Sequence, residues 1–248
     1  MSNDMRNIKL VLQYDGRNYH GFQKQPKLPT ICGVLEKALF KLTRENPHII
    51  YASRTDKGAH AYHQVVNFKT YSSLSVDVFE KALNALLPKD IVVCSSSEVP
   101  LEFHARFSAK SRTYLYLILN RKFPSPFHLH SALFIPYRLS LERMKEGAKY
   151  FLGEHDFTSF TPSIEIYKNP NRTINRLDIK KEEDFIHISI TSKGFMRGMI
   201  RTIVGTLLDV GRGKLEPSEI SKIVEAKDRR MASETVPSHG LYLMKVEY

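Results

Sequence analysis

Two stretches of period-two alternation constrain the fold most. In IKLVLQY the side chains of Ile8, Leu10, Leu12 and Tyr14 fall on one face, and in RTYLYLILN the rings of Tyr114 and Tyr116 do the same. Only an extended strand gathers such a set on one side, because successive side chains point to opposite faces of a sheet. Between and after these strands the period changes. Ile31, Val34, Leu35, Ala38, Leu39 and Leu42 recur at helical spacing behind Thr30, a residue type that caps helix starts.

The pattern predicts short strands at HIIYA, QVVNFKT and IVVCS, with SRTDKGAHAYH as a loop and SVDVFEKALNALL as a second capped helix closed by Pro88. The same grammar then repeats. ALFIPY reads as a strand, and SLERMKEGAKYFLG as a helix capped by Ser140 and stopped at Gly153. NPNRTINRLDIKKEEDFIHISITS reads as a hairpin. GFMRGMIRTIVGTLLDVG is the most apolar helix, with Arg197 and Arg201 one turn apart. EPSEISKIVEAKD and LYLMKVEY supply a further helix and a closing strand. The expectation is an α+β chain of two similar domains, 1–107 and 108–248. Each carries a mainly antiparallel sheet with helices packed on one face, and the active-site cleft lies between them.

Charge narrows the partner. With 37 Lys and Arg against 26 Asp and Glu, the formal net charge is +11, which favours an anionic partner through steering and counterion release. Nucleic acid is the first candidate, and 12 Tyr and 14 Phe supply rings that can stack on bases. No run approaches the roughly 18 apolar residues of a membrane span, and no basic segment leads into an apolar one at the start, so a soluble, cytoplasmic protein is expected. Cys32 and Cys94 lie far apart with no C-x-x-C spacing, and neither HAYH nor FHLH specifies a third ligand, so no metal site is expected.

Asp56 is the carboxylate that demands attention. It follows Ser53, Arg54 and Thr55 and precedes Lys57 and Gly58, so neighbouring cations and donors favour its ionised form. By itself R-T-D-x-G is a weak signal, because a surface Asp beside Arg is more often a solvated pair of little energetic value. Its weight comes from the ordered company it keeps. Y-D-G-x-x-Y-x-G-F-Q (14–23), R-T-D-x-G-x-H-A (54–61), Q-V-V-x-F (64–68) and F-H-A-R-F-S-A (103–109) lead to R-x-Y-x-Y (112–116) and L-G-x-H-D-F-T-S-F (152–160). R-T-I (172–174), G-F-M-x-x-M-I-R-x-I-V-G (194–205) and G-L-Y-L (240–243) complete the series.

Taken together, these motifs make the chain resemble the tRNA pseudouridine synthase A family, nearly end to end. The resemblance implies an isomerase that turns uridine into pseudouridine at positions 38, 39 and 40 of the tRNA anticodon stem-loop, without cofactor or metal, as a homodimer. It implies Asp56 as the catalytic aspartate, Arg54 as its companion, Tyr114 as the ring contacting the target uracil and Arg201 as the motif arginine of the last long helix. Arg201 would also pair with Asp56. Asp56 serves either as a nucleophile at ribose C1′ or as a base giving a glycal, and the sequence leaves both open. Arg17, Lys24, Lys57, Arg106, Lys110, Arg112 and Arg197 are the candidates for a basic track along the RNA backbone.

The chain departs from the family pattern at Ser53, where Gly is usual, at Lys57, at Phe22 in place of Trp, at Cys32 in place of Gln, and at Arg197, where His or Tyr is common. Two rival expectations remain: a non-catalytic RNA-binding or RNA-folding protein on the same scaffold, and a hydrolytic glycosidase or nuclease. The second lacks a paired carboxylate at defined spacing.

Overall fold

The computed structural model describes residues Asp4–Tyr248 and divides into two compact units. One comprises the chain up to Lys110 together with Leu243–Tyr248, and the other runs from Ser111 to Tyr242. Each contains mainly antiparallel strands with helices, so the α+β class is observed.

In the first unit, β1 (Arg6–Tyr14) lies between β3 (His60–Thr70) and β4 (Ile91–Val99), antiparallel to both, and β2 (Ile50–Tyr51) adds to β3. Leu243 onward, in the last strand β10 (Leu241–Glu247), stands beside β3. The register pairs Ile8 with Phe68 and Leu10 with Val66, so the alternation in β1 and that in β3 build one apolar face. Helix α2 (Val76–Leu86) covers that face by setting Phe79 edge-on to Phe68, 5.7 Å between ring centres. Asn84 of α2 brackets the Val93 backbone with two hydrogen bonds, 2.8 and 2.9 Å, tying the helix to β4. Helix α1 (Ile31–Thr43) begins as its sequence predicts, with the Thr30 hydroxyl accepting from the Gly33 N–H. Ser75 holds the cap position of α2 without a side-chain cap bond, so the second capped start is capped in position only.

In the second unit, β5 (Ser111–Asn120), β9 (Phe185–Ser192), β8 (Asn171–Glu182) and β7 (Gly153–Asp156) are antiparallel neighbours in that order, and β6 (Leu133–Ile135) runs parallel to β5. The expected hairpin is β8–β9, turning at Glu183, whose φ is 52°. Register places Tyr114, Tyr116 and Ile118 against Ile190, Ile188 and Ile186, all buried. Three helices follow: α3 (Leu141–Ala148), α4 (Met199–Gly211) and α5 (Glu219–Ala226). Ser140 caps α3 through the Arg143 N–H.

Two expectations change. The loop SRTDKGAHAYH is shorter than its polarity suggests, because β3 already begins at His60. Helix α4 starts at Met199, so Arg197 lies outside it and does not share a helical face with Arg201. The reason is Gly198, held at φ +71°, a left-handed conformation that ends helical continuity on its N-terminal side. Pro162 packs where a Gly198 side chain would stand, 2.9 Å away.

Close packing on α4 is absolute at Gly205, whose Cβ would fall 2.1 Å from the Glu234 carbonyl oxygen. Gly205→Ala gains about 1 kcal/mol of helix propensity but meets an overpacking cost of about 1–3 kcal/mol from backbone that has no rotamer to yield. We expect the cost to prevail and Tm to fall by several degrees, measured by calorimetry. The thiols give a second check. Cys32 is buried, and burial and then Glu36 push its thiol up to about 12, whereas Cys94 is exposed. A thiol reagent at neutral pH should label Cys94 in the native protein and Cys32 only after denaturant is added.

Candidate active site

The Asp56 loop of the first unit is fixed by what surrounds it. Ala59 N donates to the Asp56 carbonyl at 3.1 Å, closing a tight turn in which Gly58 takes φ +77°. The Tyr14 hydroxyl meets the Thr55 hydroxyl at 2.7 Å, both buried. Upstream, Gln64 clasps Ser53 at both backbone atoms, accepting from its N–H at 3.2 Å and donating to its carbonyl at 2.7 Å. These bonds explain why Gln64, a fully buried amide, sits in an otherwise apolar strand.

The motif Y-D-G-x-x-Y-x-G-F-Q supplies the other wall. Phe22 N donates to the Thr55 carbonyl at 3.1 Å, and Gly58 N to the Tyr19 carbonyl at 3.2 Å. Both motif glycines are there because backbone meets backbone. A Cβ on Gly16 would fall 1.8 Å from the Ala59 oxygen, and one on Gly21, at φ +86°, 2.7 Å from the Thr55 oxygen. Asp56 is half-buried in this cradle, between exposed Arg54 and Lys57.

Beside the cradle, Asp15 is bound by Arg17 through Nε at 2.7 Å and a terminal nitrogen at 2.6 Å. Burial works to raise the Asp15 carboxyl, but the Arg17 hydrogen bonds and the charges of His60 and Arg17 outweigh it and hold the group below its ordinary range. His60 Nδ1 lies 3.2 Å from the Gly16 N–H and 3.1 Å from the Asp15 carboxylate, and its single lone pair or proton serves one of them at a time.

In the second unit, Tyr114 is 5% exposed and its ring meets Phe195 at right angles, 5.4 Å between centres. Phe195 belongs to the G-F-M motif, yet nothing in its own spacing marks it as the partner of Tyr114. Arg201 is half-buried, and its Nε donates to the Val236 carbonyl at 2.7 Å, which fixes the guanidinium plane. The 234–237 segment that receives it is held by Thr202 to Thr235 at 2.9 Å and by the Tyr116 hydroxyl to the Pro237 carbonyl at 2.6 Å. Burial pushes the Tyr116 hydroxyl well above the usual tyrosine range, against a smaller opposing pull from Arg201, so it stays a neutral donor.

The basic candidates separate by environment. Arg106, Lys110 and Lys57 are exposed. Arg197 is exposed too, on a backbone clamped at both ends: its N–H donates to the Tyr167 hydroxyl at 2.7 Å and its carbonyl accepts from Thr161 at 2.9 Å. Arg17 and Lys24 are exposed but ion-paired, Lys24 to Glu36 at 2.5 Å. Such pairs are weak enough for a phosphate to displace. Arg112 is only 7% exposed and donates to the Lys193 carbonyl, so it fastens the start of β5 rather than facing solvent.

Among the described residues, no group of three His, Cys, Asp or Glu is placed to hold a metal ion, and no helix is long and apolar enough to cross a membrane.

The family described as tRNA pseudouridine synthase matches the chain over residues 10–108 and 148–248. A protein named tRNA pseudouridine synthase A from Acetivibrio thermocellus is 45% identical over 244 residues, 98% of this chain and all of that protein. One of the same name from a Thermoanaerobacter species is 47% identical over the same share of each. tRNA pseudouridine synthase A 2 from Clostridium perfringens is 46% identical, again over 98% of this chain and the whole of the relative. With the family pattern matched in both units and relatives covered from end to end, the chain belongs to the tRNA pseudouridine synthase family.

Proposed function

We propose that this protein converts uridine to pseudouridine in tRNA, at positions 38, 39 or 40 of the anticodon stem-loop, with Asp56 as its catalytic residue. The observation that carries the reading is the cradle around Asp56. Tyr14, Gln64 and the Gly16 and Gly21 backbones position a half-buried carboxylate on a loop whose own hydrogen bonds leave it little freedom. Pre-setting the acid removes a reorganisation cost at the moment of reaction.

The chemistry is an isomerisation and balances without a co-reactant. The bond from ribose C1′ to uracil N1 breaks, the base turns, and C5 bonds to C1′. The proton lost from C5 is matched by the one that N1 gains. Asp56 promotes the first step either by attack on C1′ or by taking a ribose proton. The uridine must leave its stack, at a cost of a few kcal/mol. Exposed Arg54 is suited to prop the vacated space, since a guanidinium both stacks on bases and binds phosphate. By the family resemblance Tyr114, its plane set by Phe195, is the ring that meets the extruded uracil, and Arg201, its plane set by Val236, is the motif arginine of the last long helix. Arg197, Lys57, Arg106 and Lys110 follow the RNA backbone, with Arg17 and Lys24 exchanging their carboxylates for phosphate. By the family resemblance the protein acts in the cytoplasm as a homodimer.

Site-resolved pseudouridine mapping on an unmodified tRNA transcript is the direct test. Asp56→Asn should lower turnover by at least about 10²–10⁴-fold while tRNA binding stays near wild type. A wild-type protein that binds tRNA and forms no pseudouridine is instead the RNA-folding protein of the rival reading. Tyr114→Phe should keep most of the activity and Tyr114→Ala lose a stacking contribution of about 1–3 kcal/mol, read in kcat/KM. Gly16→Ala, which touches no substrate, should cut kcat by displacing the Ala59 backbone; unchanged kcat in a folded Gly16→Ala protein would remove the cradle from the mechanism.

A further inference from the structure

Phe107 is 71% exposed, yet it stands on one of the most firmly tied turns of the first unit. A single apolar side chain at a surface needs no explanation by itself. The turn beneath this one does. Ser108 N donates to the His104 carbonyl at 2.9 Å, and the Ser108 hydroxyl accepts from the His104 N–H at 3.1 Å. His104 Nδ1 lies 3.2 Å from both the Arg106 and the Phe107 N–H, which share its one lone pair.

The turn is in turn fastened to the sheet. Asn7 and Asn67, both fully buried on the face of β1 and β3 opposite α2, reach the Phe103 carbonyl at 3.0 and 3.2 Å, and Asn67 accepts from Ala105 N at 2.8 Å. The Tyr248 hydroxyl donates to the Ala105 carbonyl at 2.8 Å, and its ring packs against Phe103.

On this base the Phe107 ring is flanked by His104, 4.3 Å between ring centres, and by the Arg106 guanidinium, 5.3 Å from the ring centre. Lys110 is exposed three residues on, while the acidic neighbour in sequence is Glu102. An exposed flat ring on a tied backbone, with the Arg106 guanidinium over one face and Lys110 three residues on, offers a surface for an unpaired base and charges for its phosphates. Stacking there loses little side-chain entropy, because the ring has few torsions and its backbone is already fixed.

Resting on the reading of the protein as an RNA-modifying enzyme, we infer that Phe107 is a stacking platform for an unpaired tRNA base other than the reacting uridine, with Arg106 and Lys110 on the adjoining phosphates. Its role is to bind and orient the RNA, not to take part in the bond exchange.

The test measures Kd for an unmodified tRNA transcript across a salt series, alongside sedimentation to read the assembly state. Phe107→Ala should weaken binding roughly ten- to hundred-fold. Its slope of log K against log salt should stay that of the wild type, and its kcat at saturating tRNA should be retained. Lys110→Ala should lower that slope by about one. Phe107→Leu keeps apolar area without a π-face and should recover little of the affinity, whereas Phe107→Tyr should recover most. Unchanged Kd in Phe107→Ala overturns the inference. So does full recovery in Phe107→Leu accompanied by dissociation of the Phe107→Ala protein into smaller species, which assigns the ring to contact with a second copy of the chain. Failure of the wild type to form pseudouridine strikes the functional reading instead, and leaves the Kd comparison to decide the stacking site.

Discussion

Backbone touches backbone where the Tyr14–Gln23 motif meets the Asp56 loop, at Gly16 against Ala59 and at Gly21 against Thr55, with no side chain between them. A contact of this kind has no rotamer to relax into, so it fixes position more tightly than a packed side chain does. Hydrogen bonds from Phe22 and Gly58 run along the same seam, and the Tyr14–Thr55 hydroxyl pair closes its buried end. The backbone that carries Asp56 is therefore placed by groups that carry no charge.

The second unit uses the same device with different parts. Gly205 lets the Glu234 backbone reach the surface of α4, and a Cβ on Gly240 would fall 2.8 Å from the Leu117 carbonyl oxygen. The strap between them carries the Val236 carbonyl that orients Arg201 and the Pro237 carbonyl that accepts from Tyr116. A buried neutral phenol and a half-buried guanidinium are thus oriented by main-chain oxygens of one short segment. Displacing that segment would move both.

Period and turn chemistry made much of this legible. The alternation of Ile8, Leu10 and Leu12 and of Tyr114 and Tyr116 locates the central strands, and Thr30 and Ser140 mark helix starts that the structure caps through their hydroxyls. Arg197 shows the limit. Its spacing from Arg201 fits a helix, but Gly198 at φ +71° ends helical continuity there, and Pro162, distant in sequence, packs where a side chain would stand. Arg112 likewise reads as a surface cation until the Lys193 carbonyl, just past the end of the neighbouring strand β9, takes its guanidinium. Asp56 stood out through its place among ordered motifs; the roles of buried Gln64 in clasping Ser53 and of the Phe195 ring in meeting Tyr114 carry no local signature, since their partners are chosen by packing.

The tail beyond Leu243 belongs to the first unit, where it lies beside β3 and its final tyrosine holds the Ala105 carbonyl. That unit consequently completes its sheet only with chain that follows the whole second unit in sequence, and replacing Tyr248 would loosen a turn more than a hundred positions upstream.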